Sequence, residues 1–136
     1  MQRRKAREYV LQILFRLDFT EKRIDSKDLE EFWADKKEHL DVKNFTEDLV
    51  RGTLDQIDHI DTMIEKFTEN WRLKRMAAVD RNILRFAVYE LLYRKDIPPA
   101  VTINEALEIA KKFSSTESAP FINGILDKIA KEARKP

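Results

Sequence analysis

Residues 80–94, DRNILRFAVYELLYR, constrain the fold of this chain more than any other segment. At about 100° per residue, the apolar side chains of this segment spread around most of a helical wheel. They are Ile83, Leu84, Phe86, Ala87, Val88, Leu91 and Leu92. A helix that is apolar on nearly every side must be enclosed by other elements. The segment therefore predicts a buried central helix, with Asp80 placed to cap its start.

Apolar residues recur at helical spacing through the rest of the chain. Besides the central helix, the pattern predicts helices over residues 4–19, 27–38, 44–70, 102 or 104–113, and 119–133. Gly52 and the β-branched Thr53 lower helix propensity, which predicts a break between about 52 and 57 and hence two helices within 44–70. Ser26 is the predicted cap of the second helix, and Ser118 or Thr116 that of the last.

The remaining segments are expected to be short connections. Residues 40–43 link the second and third predicted helices, and residues 71–76 form a turn with Leu73 and Met76 pointing inward. Pro98-Pro99 ends the central helix, because a residue that precedes proline is disfavoured in helical geometry. No segment alternates between apolar and polar residues as a half-buried strand does. We therefore predict an all-α fold of about seven helices, in a single domain over residues 1–136.

The residue types needed for most enzyme and metal sites are scarce. The chain has no cysteine and only two histidines, His39 and His59, whose charged neighbours predict a surface location. No glycine-rich phosphate loop is present. Asp55, Asp58 and Asp61 follow one another at three-residue spacing and are expected to form a solvated helix face. We therefore expect no catalytic residue, no bound metal and no cofactor.

The patterns of exported and membrane proteins are also missing. The basic start is followed by apolar positions that Gln12, Arg16 and Asp18 interrupt, unlike the continuous apolar core of a signal peptide. No run approaches the ~18 apolar residues of a membrane-spanning helix. We therefore expect a cytoplasmic protein.

Four of the first seven residues are basic, namely Arg3, Arg4, Lys5 and Arg7. They fall in the first two turns of the first predicted helix, where the macrodipole is positive and acidic side chains are favoured. One interpretation is a solvated, partly frayed terminus. The other is an anion site, in which these cations and the open amides of the helix N-terminus bind a polynucleotide backbone. A second basic set complements the dipole at the end of the last helix and favours a structural role; it comprises Lys128, Lys131, Arg134 and Lys135.

Four segments of the chain resemble the family of the transcription antitermination factor NusB, N-utilisation substance B. They are RRKAREYVLQILF, VDRNILRFAVYELL, VTINEALEIAKKF and SAPFINGILDKI, in the order of the family. The resemblance covers essentially the whole chain and is weakest over residues 18–58. It implies seven helices in two packed halves, and an RNA-binding adaptor that is not an enzyme. The implied partners are NusE, a single-stranded boxA element of nascent ribosomal RNA, and RNA polymerase with NusA and NusG.

The resemblance also implies roles for particular residues. The arginine-rich segment of the family matches Arg3, Arg4, Lys5 and Arg7, which favours the RNA-binding interpretation of the basic start. RNA contacts in the loop before the last helix would fall on Glu117, Ser118 and Phe121. Phe121 either stacks on a base or packs in the core, since it lies in an apolar stripe. Contacts to NusE would fall on Phe15 and Asp80.

The chain departs from the family pattern near that loop. Many relatives have glycine and aspartate where this chain has Ser114 and Glu117, and Pro120 stiffens the start of the last helix. Two other functions remain open. A similar helical domain precedes the catalytic domain of certain ribosomal RNA cytosine methyltransferases, and a helical adaptor could bind proteins without RNA.

Overall fold

The computed structural model describes residues 2–20, 23–68 and 73–134. These residues form seven α-helices and one short 3₁₀ turn, without a strand, so the predicted all-α fold is confirmed. The helices are α1 (Arg3–Leu17), α2 (Ser26–Trp33), α3 (Leu40–Asp55), α4 (Ile57–Lys66), α5 (Ala78–Tyr93), α6 (Pro99–Phe113) and α7 (Ser118–Ala133), and the 3₁₀ turn is Leu73–Arg75. None of the helices in these three ranges is long and apolar enough to cross a lipid bilayer.

Helix α5 is the buried central helix that the sequence predicts. It packs against α1, α3, α4, α6 and α7. Its apolar side chains from Ile83 to Val88 are at most 1% exposed, with the polar Arg85 almost as deeply buried among them. Because α5 contacts both the group α1–α3 and the group α4–α7, it joins the two packed halves of the fold.

The first half is held together by aromatic side chains. Tyr9 of α1 meets the rings of Phe32 and Trp33 edge-on, at centroid distances of 5.8 and 5.1 Å. Such edge-to-face pairs contribute about 0.5–1.5 kcal/mol beyond the area that they bury. The short helix α2 is therefore held against α1 by its last turn, which carries both aromatic residues.

Helices α1 and α6 run parallel, side by side. Arg4 of α1 binds Glu105 of α6 at 2.5 Å, and Lys112, further along α6, binds Glu8 at 3.1 Å. Both members of the second pair lie closer to the C-terminal ends of their helices than those of the first pair, so the two helices run in the same direction. The two pairs join α1 to α6 of the second half of the fold.

Several predicted helix ends are wrong, and each error has a local cause. Asp25, and not Ser26, caps α2, because its side chain accepts from the amide of Asp28 at 2.8 Å while Asp28 accepts from the amide of Asp25 at 3.0 Å. Residues 40–43 are the first turn of α3 and not a connector. Helix α6 starts at Pro99, several residues earlier than predicted, because the first helical position needs no amide donor.

Other predictions for these connections are confirmed. The break within 44–70 falls at Gln56, between α3 and α4. Leu73 and Met76 point inward and are 5% and 8% exposed. The predicted helix end at residue 70, the start of the following turn at residue 71 and the basic residue 135 lie outside the described residues.

Gly52 lies within α3, so it does not cause the break that its low propensity suggests. Its role is spatial. A Cβ atom at this position would lie 2.1 Å from Cζ of Tyr89, which is far closer than any van der Waals contact. The absent side chain therefore lets the Tyr89 ring of α5 lie directly against the backbone of α3.

Candidate nucleic-acid interface

The basic start of the chain forms the first two turns of α1. Arg3, Arg4 and Lys5 are exposed, whereas Ala6 and Arg7 turn inward. We call the exposed set Arg3, Arg4 and Lys5 the basic tip. Three of the four predicted RNA-binding cations thus lie exposed in the first turn of α1, at the positive end of its macrodipole.

Arg7 is buried and binds a glutamate of the central helix. Its Nε and Nη2 donate to the two carboxylate oxygens of Glu90, each at 2.8 Å. Thr102 of α6 donates to the same carboxylate at 2.8 Å. Arg7 is 1% exposed and Glu90 is fully buried, so a polynucleotide has no access to this guanidinium as the chain is folded. The structure therefore places Arg7 beneath the basic tip, where it fixes α1 to α5 and α6.

Arg4 and Lys5 are exposed but have acidic partners on other elements. Arg4 donates to both oxygens of Glu105, through Nε at 3.2 Å and Nη2 at 2.5 Å. Lys5 lies 2.6 Å from Glu38, which also accepts the hydroxyl of Tyr9. Hydrogen bonding to Glu105 raises the pKa of Arg4, and hydrogen bonding to Glu38 raises the pKa of Lys5.

Arg3 completes the tip with a different contact. Its guanidinium lies over the Phe45 ring of α3, 4.6 Å from the centroid, and it forms no ion pair within the described residues. These contacts explain why basic residues are tolerated where the α1 dipole disfavours them. Each cation is stabilised by a partner outside α1, which the helical wheel alone does not show.

The loop residues with predicted RNA contacts line a shallow groove between α5 and α7. Asp80, Glu117, Ser118 and Phe121 all line it, together with residues 75–77 and Ser115. Glu117 is exposed, and Phe121 is 36% exposed at the start of α7. The ring of Phe121 is thus accessible from solvent, and its stacking on a base remains a prediction.

Asp80 is not the cap of α5, since the helix starts at Ala78 with Ala77 in the cap position. Its carboxylate instead accepts from Ser114 Oγ at 2.7 Å and from Ser118 Oγ at 2.9 Å. Ser118, which is predicted to contact RNA, is 9% exposed and held by this contact. Asp80 therefore ties the start of α5 to the linker between α6 and α7. Ser114 supplies one of the two hydrogen bonds of this contact.

Phe15, the other predicted NusE contact, lies on a separate surface. It is 39% exposed, and the neighbouring Phe19 is 70% exposed. The two rings meet edge-on at 5.2 Å. Two adjacent aromatic side chains in solvent form an apolar patch of the kind that is enriched in protein interfaces.

Four residues of these surfaces do not stand out as site residues in the sequence: Glu38, Glu90, Thr102 and Glu105. Glu90 and Glu105 lie on helices far along the chain from the cations that they contact, and Thr102 contacts Glu90, so helical periodicity gives no signal for these pairings. Glu90 has one indirect signal. An acid within the apolar belt of a buried helix must have a partner, because an unpaired buried charge is strongly disfavoured.

The described residues contain no cluster of three or more metal-binding side chains. His39 and His59 are both exposed, as predicted.

Comparisons with known proteins identify the family. The family model described as "NusB family" matches residues 4–131. A transcription antitermination protein NusB from Thermodesulfovibrio yellowstonii is 50% identical and covers 97% of this chain and 93% of the relative. The structure of T. maritima NusB superposes with a TM-score of 0.89 at 41% identity, over 99% of this chain and 94% of the other.

A second solved structure contains partners. It describes the antitermination factors NusB and NusE in complex with dsRNA, and its matching chain has a TM-score of 0.84 at 27% identity. The match covers 97% of this chain and 99% of the other. Sequence, family model and fold agree along nearly the full length, and this chain belongs to the NusB family.

Proposed function

We propose that this protein is an RNA-binding adaptor in transcription antitermination. With NusE, it binds single-stranded boxA-type elements of nascent ribosomal RNA and helps to assemble the antitermination complex on RNA polymerase with NusA and NusG, in the cytoplasm. The observation that carries the proposal is the exposed basic tip at the N-terminus of α1, in a chain of the NusB family. A relative that was crystallised with NusE and dsRNA supports NusE and RNA as the two kinds of partner.

The geometry of the basic tip suits a phosphate backbone. Arg4 and Lys5 have side chains that are 50% and 47% exposed, so each has donors that a phosphate can reach. The open amides of the first α1 turn add to the same positive field. Such contacts supply affinity without sequence preference.

Base recognition needs a second surface. Phe121, with Glu117 and Ser118, borders the groove between α5 and α7. An accessible aromatic ring can stack on an unpaired base, which contributes about 1–3 kcal/mol. Single-stranded RNA exposes its bases for such contacts, whereas an A-form duplex does not. We therefore assign the groove to base contacts and the basic tip to the backbone.

The proposed NusE contacts use the patch of Phe15 and Phe19. Its aromatic side chains have the composition of an interface core. Asp80, the other expected NusE contact, lies in the groove between α5 and α7 instead. A partner that reaches both would therefore span the start of α5.

Fluorescence anisotropy with a labelled boxA RNA oligonucleotide tests the proposal. The double variant Arg3→Ala with Lys5→Ala removes two tip cations. The matched control, Lys128→Ala with Lys131→Ala, removes two cations from α7. We expect the tip variant to bind roughly tenfold more weakly at low salt, and its slope of log affinity against log salt to fall in magnitude by about 1.4, or ~0.7 for each phosphate that is no longer neutralised.

The same titration separates the alternatives. Equal affinities for the tip variant and the wild-type protein would refute the basic tip as the RNA site. Equal binding of an RNA duplex would refute the single-strand preference. A wild-type protein that binds NusE but no RNA, alone or with NusE, would be an adaptor for proteins only.

A further inference from the structure

The basic tip carries much less free charge than its sequence suggests. Of the four cations near the start of α1, Arg3 alone forms no ion pair within the described residues. Arg4, Lys5 and Arg7 each have a carboxylate within 3 Å. A phosphate that approaches Arg4 or Lys5 therefore meets a cation that already binds a carboxylate.

Glu38 is held in place as the partner of Lys5. Its carboxylate receives the Lys5 ammonium at 2.6 Å and the Tyr9 hydroxyl, and its side chain is only 7% exposed. Hydrogen bonds from Lys5 and Tyr9 lower the pKa of Glu38, so it stays ionised at neutral pH. Glu38 is thus a fixed negative charge beside an accessible cation.

Glu105 occupies Arg4 in a similar way. It accepts the Nε and Nη2 donors along one edge of the guanidinium, an edge that can also bind a phosphate bidentately. It also lies 3.7 Å from Nη1 of the buried Arg7. Its side chain is 14% exposed, so the carboxylate is held against α1 rather than extended into solvent.

A carboxylate fixed beside a cation competes with every phosphate that comes from solution. The competition is intramolecular, so the carboxylate acts at a high effective concentration. A polyanion that offers phosphates alone gains little free energy when one of its phosphates replaces the carboxylate beside the cation. An RNA that also makes base contacts gains additional free energy that favours the exchange.

On this basis, which rests on the proposed function, we propose that Glu38 and Glu105 are specificity-determining residues for RNA. They occupy the donors of Lys5 and Arg4 in the free protein and suppress the binding of polyanions that offer a backbone alone. RNA that also contacts the groove of Phe121 displaces them. The exchange makes occupation of the basic tip depend on base recognition.

The contribution of these two ion pairs to folding is small. Arg4 and Lys5 are about half exposed, and ion pairs at such positions contribute little to stability. Removing the two acidic side chains should therefore change the affinity for RNA clearly while it leaves the melting temperature almost unchanged. If the two acids had a purely structural role, their removal would lower the melting temperature and would not strengthen RNA binding.

Glu38→Gln, Glu105→Gln and the double variant test the inference. Affinities are measured for a boxA RNA and for a uridine homopolymer of equal length, across a salt series, with and without NusE. Asp127→Asn is the matched control, since it removes the same charge from an exposed pair with Lys131 at 3.0 Å.

For the double variant we expect roughly tenfold tighter binding of the homopolymer at low salt, with a slope against log salt that is steeper by about 0.7 for each additional phosphate that is neutralised. Binding of the boxA RNA should tighten less, so the preference for it over the homopolymer falls. Asp127→Asn should leave both affinities unchanged, and the melting temperatures should agree within about 3 °C.

Several results would overturn the inference. Unchanged or weaker binding of the homopolymer would show that the acids orient the cations rather than compete for them. Equal tightening of both RNAs, or tightening by Asp127→Asn, would show a general effect of net charge. If neither the wild-type protein nor any of the variants binds either RNA, the proposed function itself is refuted.

Discussion

The two glycines of the chain, Gly52 and Gly124, occupy helices but have opposite surroundings. Gly52 faces the ring of Tyr89, and a Cβ atom would lie within 2.1–2.5 Å of three atoms of that ring. Gly124, on the exposed side of α7, has no atom within 4 Å of the corresponding position. The same substitution should therefore have opposite effects at the two sites.

Gly52→Ala is expected to lower the free energy of unfolding by about 1–3 kcal/mol, because the added methyl group displaces a ring that also stacks on Tyr93. Gly124→Ala is expected to raise it by about 0.5–1 kcal/mol, through helix propensity alone. Urea unfolding of both variants measures the two changes. In a Tyr89→Ala background the Gly52→Ala loss should largely disappear; a loss that persists would show that the ring is not its cause.

Gly52 also shows what sequence reasoning misses at this scale. Its low helix propensity predicts a break, yet α3 continues through it to Asp55. The reason for a glycine here is the ring of Tyr89, 37 positions further along the chain. Propensity is a local property, whereas this requirement comes from the packing of α3 on α5.

Whole helices are predictable from the sequence more accurately than their ends. The inward faces follow from periodicity, which is local, and the apolar belt of α5 identifies the central helix. The predicted start of α6 is too late because Pro99 is the first residue of that helix as well as a stop signal for α5. The predicted cap of α2 is Ser26, although Asp25 beside it forms the reciprocal pair with Asp28. Where two neighbouring residues have similar capping chemistry, only the backbone geometry decides which of them caps the helix.

The tie between α5 and the α6–α7 linker gives a prediction at this scale. Asp80→Ala removes the acceptor of Ser114 and Ser118, so we expect a loss of about 2 kcal/mol in the free energy of unfolding. Ser114→Ala should cost less, and the two losses should not add, because both variants break the same contact. Thermal unfolding of the single and double variants measures this.

Additive losses would contradict the shared contact. The NusE affinity of Asp80→Ala, compared with that of Ser114→Ala at equal stability, tests the separate expectation that Asp80 is a partner contact. A loss of NusE affinity in both variants would show that the conformation of the linker is the cause. A loss in Asp80→Ala alone would show that the Asp80 carboxylate contacts NusE.

At the scale of the whole molecule, a group of charged residues near the end of α1 also connects the two halves of the fold. Asp18, just after α1, accepts from Arg81 Nε at 2.9 Å and from Arg85 Nη1 at 3.0 Å. Arg85 also donates to both oxygens of Asp61 on α4, at 2.9 and 3.0 Å. Burial would raise the pKa of Asp18, but the hydrogen bonds from Arg81 and Arg85 outweigh it and lower the pKa.

A lowered pKa makes Asp18 a source of acid sensitivity. Its stabilising contribution is fully present above the unfolded-state pKa of about 4 and is lost as the pH falls below that value toward the folded-state pKa. Asp18→Asn should lower the free energy of unfolding by roughly 3 kcal/mol at pH 7, because the buried Arg85 and the partly buried Arg81 lose a charged partner.

The difference between wild-type protein and Asp18→Asn should narrow as the pH falls below about 4, since the unfolded wild-type chain then binds a proton at Asp18 that the folded protein, with its lowered pKa, does not yet bind. Urea unfolding between pH 7 and pH 3 measures it. The exposed Asp58 provides the control, and Asp58→Asn should show no such difference. A constant gap between wild-type protein and Asp18→Asn at all pH values would rule out the charge as the cause.

The candidate site is predictable in part. Arg3, Arg4 and Lys5 are all exposed, as their positions in the first turn suggest. Arg7 lies one turn after Arg3 on the same side of α1, and both guanidinium groups face the Phe45 ring. Unlike Arg3, it belongs to a buried stripe that is otherwise made of mainly apolar residues. The helical wheel alone therefore places it inward. The partner Glu90, 83 positions away, and the acids of the basic tip require the tertiary structure.

The parallel pairs of α1 and α6 have a further consequence, for register. The order of charges is positive then negative along α1, at Arg4 and Glu8, and negative then positive along α6, at Glu105 and Lys112. Sliding α6 by one turn would bring Glu108 opposite Glu8, so that like charges would meet. An apolar interface alone tolerates such a slip more readily than one with charges of fixed order. The two surface pairs thus discriminate against a misaligned packing of the helices, even where they add little to the stability of the correct one.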